Sequence, residues 1–110
     1  MNRLLKHYQI DVDFPGVSGA EMLEMLLIRD QLAEQEGLLT PREREVLAVS
    51  DRQLLRQAAL FHAELSRFID LAQRRQEKRI LPDRWWWHLD VLAELPAGAV
   101  ISVEEPMAGD

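Results

Sequence analysis

The sequence predicts an all-α fold: a compact bundle of three to four main helices with a short N-terminal arm and a short C-terminal tail. Three observations carry that expectation. Two helix-start signatures, Ser18 with Glu21 and Thr40 with Glu43, place a capping hydroxyl three residues before a glutamate. An apolar seam of Leu54, Ala58, Phe61, Leu65, Phe68 and Ala72 repeats at spacings of 4, 3, 4, 3 and 4. No glycine or proline interrupts residues 42–81.

Residues 1–17 read as the arm. A short helix over residues 2–8 is followed by Ile10, Val12 and Phe14 alternating with Asp11 and Asp13, which suits an extended segment. Residues 18–95 form the helical domain. Its first helix is capped by Ser18, carries Met22, Leu23, Met25, Leu26, Leu27, Ile28, Leu32 and Ala33 on its apolar face, and leaves Glu24, Arg29 and Asp30 on the wet one. Gly37 is placed to stop it in the left-handed conformation. A second helix opens at Thr40-Pro41. Ser50-Asp51-Arg52-Gln53 repeats a start signature, and the reading favours a break there over one long helix. The third helix carries the seam to the proline at 82, and the seam fits either a bundle core or a homodimer contact. The fourth starts at Asp83 and ends near Leu95. Residues 96–110 are an acidic tail punctuated by Pro and Gly, in which Val100–Val103 could pair with Ile10–Phe14.

Composition bounds the function. The 110 residues suit one domain, and 47% hydrophobic content suits a packed core. A net charge of −6 disfavours a general nucleic-acid binder. The absence of cysteine removes disulfides, thiolate catalysis and Cys-type metal sites. With no signal-like N-terminus and no apolar run long enough for a membrane, the chain reads as soluble and cytoplasmic, with no membrane partner.

The triplet Trp85-Trp86-Trp87 is the strongest functional pointer. On an α-helix successive residues point about 100° apart, so three adjacent indoles cannot share one face. With Trp85 inward beside Leu89 and Leu92, Trp87 falls about 200° away, on the polar side. Trp86 and Trp87, with Val91 and Arg84, are therefore the expected protein-binding residues, for another protein or a second copy of this chain. Arg74, Arg75, Lys78 and Arg79 form a basic segment, read either as a solvated helix end or as an anion-docking patch. The patch supports the alternative function, a nucleic-acid-associated regulator or ribonucleoprotein subunit.

Catalytic patterns do not assemble. Asp11-Val12-Asp13 starts like a calcium loop, but Pro15 and Met22 occupy ligand positions. His62-Ala63-Glu64 lacks the cysteine pair of a zinc deaminase. No Glu lies three residues before any histidine, as a di-iron bundle needs. No enzyme activity, metal or cofactor is expected. Residues 39–47, Leu39-Thr40-Pro41-Arg42-Glu43-Arg44-Glu45-Val46-Leu47, resemble the opening of a LuxR-type helix-turn-helix. That family continues with a glycine-bearing turn and a polar second helix. Here Ala48-Val49-Ser50-Asp51-Arg52-Gln53 follows, with no glycine before Gly98, so the recognition helix is missing and no family is assigned. The expected role is a non-catalytic adaptor or assembly/regulatory subunit acting through an aromatic helix face.

Overall fold

A computed structural model describes residues 2–94. Six α-helices follow in order: α1 (Arg3–Asp11), α2 (Gly19–Glu34), α3 (Pro41–Arg56), α4 (Ala58–Leu65), α5 (Leu71–Lys78) and α6 (Leu89–Leu92). Two 3-10 helices, Glu36–Leu38 and Trp85–His88, lie between them, and there is no strand among the described residues. The all-helical class stands. Six mostly short helices replace the three or four main ones expected. None among the described residues is long and apolar enough to cross a membrane.

The expected arm is an integral helix. The Asn2 side chain accepts the Leu4 and Leu5 backbone N–H groups at 2.8 and 3.3 Å and starts α1. Leu5, Tyr8 and Val12, three and four residues apart, share one face and are buried against α2 and α3. The Ile10–Phe14 alternation is not a strand. Ile10 and Phe14 are exposed while Val12 is buried, because Ile10 and Val12 sit on opposite sides of the helix end. The suggested partner, Val100–Val103, lies outside the described residues.

Ser18 caps α2, its Oγ accepting the Glu21 N–H at 3.3 Å. Gly37 does not stop this helix in a left-handed turn. No described glycine has positive φ, and α2 instead relaxes through Gln35 into the Glu36–Leu38 turn. Thr40 and Glu43 make the full reciprocal box at 3.1 and 3.0 Å, with Pro41 at the first helical position. The expected break at Ser50 is absent. Ser50 is buried inside α3, which runs unbroken to Arg56 and leaves no helix-turn-helix turn. The break falls at Gln57, whose Nε2 donates to the Val12 carbonyl at 3.2 Å.

The long third helix is also interrupted. Leu54, Ala58, Phe61 and Leu65 are buried as the seam requires, but Phe68 and Ala72 are exposed. The chain turns at residues 66–70, and Asp70 restarts the helix by accepting the Gln73 N–H at 3.1 Å. Gly19 sits against this turn: a Cβ there would lie 2.6 Å from Phe68 Cβ and 3.1 Å from the Glu64 carbonyl. Helix α5 ends at Arg79, which adopts the left-handed conformation (φ 50°). Asp83 does not cap the last helix, because Arg84 holds the position before the Trp85–His88 turn and makes no capping bond.

Candidate functional site

The tryptophan segment forms a 3-10 helix, and this decides where each ring goes. A 3-10 helix has 3.0 residues per turn, so residues three apart eclipse. Trp86 aligns with Leu89, and both are buried; Trp85 aligns with His88, and both are half-buried. The expectation for Trp87 is corrected: it is only 2% exposed, and Trp86 only 3%. Neither is an open anchor. The ring left partly uncovered is Trp85, which meets Trp86 edge to face at 5.6 Å.

One carboxylate holds the buried pair. Asp30 Oδ1 accepts both Trp86 Nε1 and Trp87 Nε1 at 2.8 Å, and Arg84 Nη1 lies 3.1 Å from the same oxygen. Arg84 also donates to the Asp30 carbonyl. On the far side, α5 covers Trp87: the Arg74 guanidinium stands 5.4 Å over the ring, and Arg75 donates to the Trp87 carbonyl at 2.9 Å. The segment is wedged between α2 and α5, so a wheel drawn for a lone helix misplaces Trp87.

Beneath it lies a buried polar cluster. Arg29, expected on the wet face, is 5% exposed. Its Nε and Nη2 form a two-point bond with Asp51 at 3.0 Å, and Tyr8 Oη donates to the same carboxylate at 2.6 Å. The Arg29 guanidinium lies 4.2 Å over the Trp86 ring. Burial, then the Asp51 charge, push the Tyr8 hydroxyl well above its ordinary pKa, so it stays a donor. Burial pulls the Arg29 pKa down, but its bonds to Asp51 outweigh this and it stays charged. These groups tie α1, α2 and α3 together and reach the tryptophans from below.

The basic segment is largely spent internally. Arg75 and Asp90 form a two-point bond at 2.7 and 3.1 Å, Arg84 is on Asp30, and Arg74 is stacked on Trp87. Of the five cations only Lys78 and Arg79 are exposed; the other three are half-buried. Arg75 outweighs burial and lowers the Asp90 pKa; burial, then the Arg75 charge, lower that of His88. No group of three or more His, Asp or Glu is placed to hold a metal among the described residues.

One open feature among the described residues is the corner between α4 and α5. A cleft of about 470 Å³ is bounded by His62, Arg67, Phe68, Ile69, Ala72 and Asp90. Phe68 is 54% exposed at its rim, and Val91, next to Asp90 on α6, is 50% exposed. The Phe68 backbone is fixed. Its N–H and that of Ile69 both bond the Leu65 carbonyl at 2.9 Å, and Gly19 abuts its Cβ. Of the expected protein-binding residues, Val91 is exposed, Trp86 and Trp87 are enclosed, and Arg84 is engaged with Asp30. Sequence reasoning placed Phe68 in the seam and so missed it; the capping Asp70 was the local signal that the helix restarts. No protein-family model matches the chain, and neither a curated protein nor a solved structure shows significant similarity to it.

Proposed function

We propose that this chain is a small non-catalytic protein-binding subunit, an adaptor or assembly/regulatory component, and that it docks through the α4–α5 corner and the adjoining face of α6. The observation that carries this reading is Phe68: a large aromatic side chain, half in solvent, on a hydrogen-bonded turn beside a cleft. Fully burying a phenylalanine contributes roughly 1.5–3 kcal/mol, so covering the exposed half of this one contributes roughly 1–1.5 kcal/mol. A preorganised anchor loses little further freedom on binding. Val91 is a further exposed apolar residue, next in the chain to the Asp90 that borders the cleft, while Arg67 gives the rim a steering charge. The aromatic anchor expected at Trp86 and Trp87 moves to Phe68, and the tryptophans become the frame that holds α6 in place. A cytoplasmic setting accompanies this reading and is supported by the cysteine-free sequence. The nucleic-acid alternative has weaker support, since Arg75 and Arg84 are occupied by carboxylates.

The test is co-purification on the tagged chain from nuclease-treated lysate, comparing wild type with Phe68→Asp and Val91→Asp. The expected result is a stoichiometric protein partner retained by wild type and reduced at least ~10-fold by Phe68→Asp, with thermal unfolding unchanged; that factor corresponds to about 1.4 kcal/mol. A partner released by nuclease, or held equally by both variants, refutes the proposal.

A further inference from the structure

We propose that the cleft between α2, the Glu36–Leu38 turn and the tryptophan segment binds a small zwitterion, held with its carboxylate inward at Arg29 and its ammonium outward between Glu36 and Asp83. The residues involved are separate from those of the α4–α5 corner, so this site stands independently of the docking reading.

The inner end of the cleft presents a donor without an acceptor. Arg29 is 5% exposed and borders a cleft of about 410 Å³, within the size range of small-molecule sites. Its Nε and Nη2 are committed to Asp51, and its guanidinium lies over Trp86. Nη1 is buried and has no hydrogen-bond partner among the described residues. A guanidinium donates from all three nitrogens and accepts at none, so Nη1 is satisfied only by an acceptor. Leaving a buried donor unmet is costly, and a carboxylate oxygen is among the strongest acceptors a guanidinium can take.

The outer end carries the opposite preference. The two arginines that border the cleft are already neutralised, Arg29 by Asp51 at 3.0 Å and Arg84 by Asp30 at 3.1 Å. The other charged residues around it, Glu36 and Asp83, are both exposed carboxylates, and neither joins an ion pair among the described residues. A simple anion drawn to Nη1 is therefore repelled at the mouth. A simple cation drawn to the mouth leaves Nη1 unmet. A molecule carrying both signs satisfies each end in its own place. Half-buried Trp85 on the wall offers an apolar surface to the carbon between the two charges.

The test is a titration of the isotope-labelled full chain, followed by NMR at the Arg29 Nε–H and the Trp86 indole N–H. The probes are glycine, β-alanine and γ-aminobutyrate, whose charges stand progressively further apart. Acetate and methylammonium serve as single-charge controls, all over roughly 0.1–50 mM at a constant ~0.15 M ionic strength. At least one zwitterion is expected to give saturable shifts, with a midpoint at least ~5-fold below that of either control. Arg75, which lies outside the cleft, is expected to stay unmoved. Glu36→Gln combined with Asp83→Asn changes two exposed side chains and is expected to leave the Tm unchanged. It is expected to raise the zwitterion's midpoint at least ~5-fold and to bring acetate level with it, because the repulsion at the mouth is gone. The absence of a saturable shift with every zwitterion overturns the proposal. So does an acetate midpoint equal to the best zwitterion's in wild type, a midpoint unchanged in the doubly neutralised variant, or a shift at Arg75 as large as that at Arg29.

Discussion

Replacing Asp30 tests the account of the tryptophan segment most directly. One oxygen of this carboxylate takes both indole N–H groups at 2.8 Å, with Arg84 beside it at 3.1 Å. Asp30→Ala strands two buried donors. Each costs about 1–3 kcal/mol, so a loss of roughly 3–5 kcal/mol is expected. A domain of this size shifts by about 4–8 °C per kcal/mol, which puts the fall in Tm on the order of 12–40 °C. Asp30→Asn keeps a carbonyl oxygen for the indoles and gives up the charge facing Arg84. Its cost is expected near ~1–2 kcal/mol. Circular dichroism gives the global transition. Intrinsic fluorescence reports on the clasp, because all three tryptophans lie in this segment. Asp30→Ala is expected to red-shift the native emission and Asp30→Asn to leave it nearly unchanged. An Asp30→Ala variant within ~1 kcal/mol of wild type, or one matching Asp30→Asn, would refute the reasoning.

Three further outcomes are expected. Arg29→Met and Asp51→Asn each break a buried pair and are expected to cost about 3–5 kcal/mol, whereas the double variant costs clearly less than their sum, as chemical denaturation would reveal. Gly19→Ala is expected to destabilise by roughly 1–3 kcal/mol, because its Cβ collides with Phe68 Cβ; helix propensity alone would give a gain, so calorimetry decides by sign. The contributions of His88 and Asp90 to stability are expected to fall as pH drops, in two windows. The folded-state pKa of His88 lies below its ordinary value, so the unfolded chain binds that proton first, and stability is lost on going down from about 6.5. The Asp90 pKa is also lowered, so its contribution is complete above about 3.9 and disappears at lower pH. Replacing His88 with Gln is expected to flatten the upper window of a Tm-versus-pH curve and leave the lower one.

The legible parts of this chain were local ones. Ser18 and Thr40 start helices because a hydroxyl can bond a backbone N–H three residues on, wherever the rest of the chain lies. The seam was readable through Leu65 because apolar residues at helical spacing bury together. It failed at Phe68 because the helix ends after Leu65 and restarts at Asp70, in a turn packed against Gly19, far away in sequence. Ser50 carried the same start signature as Thr40, yet it is buried within a continuous helix, so a cap signal marks where a helix can begin rather than where it must.

The candidate site was less legible, and for a stated reason. Trp87 was assigned to solvent because a wheel knows only its own helix. The 3-10 geometry, Asp30 on one side and Arg74 on the other enclose it. Arg29 looked like a surface charge because its neighbourhood records no partner 22 residues away.

By itself the sequence determined helicity, the caps at Ser18 and Thr40 and the buried face of α2 and of the seam through Leu65, since these depend on short-range bonding and on periodicity. Only the tertiary structure decided which charges are internal, which tryptophan meets water and that Phe68 leaves the core. Those outcomes depend on which distant side chains arrive at the same place, and no local pattern encodes that.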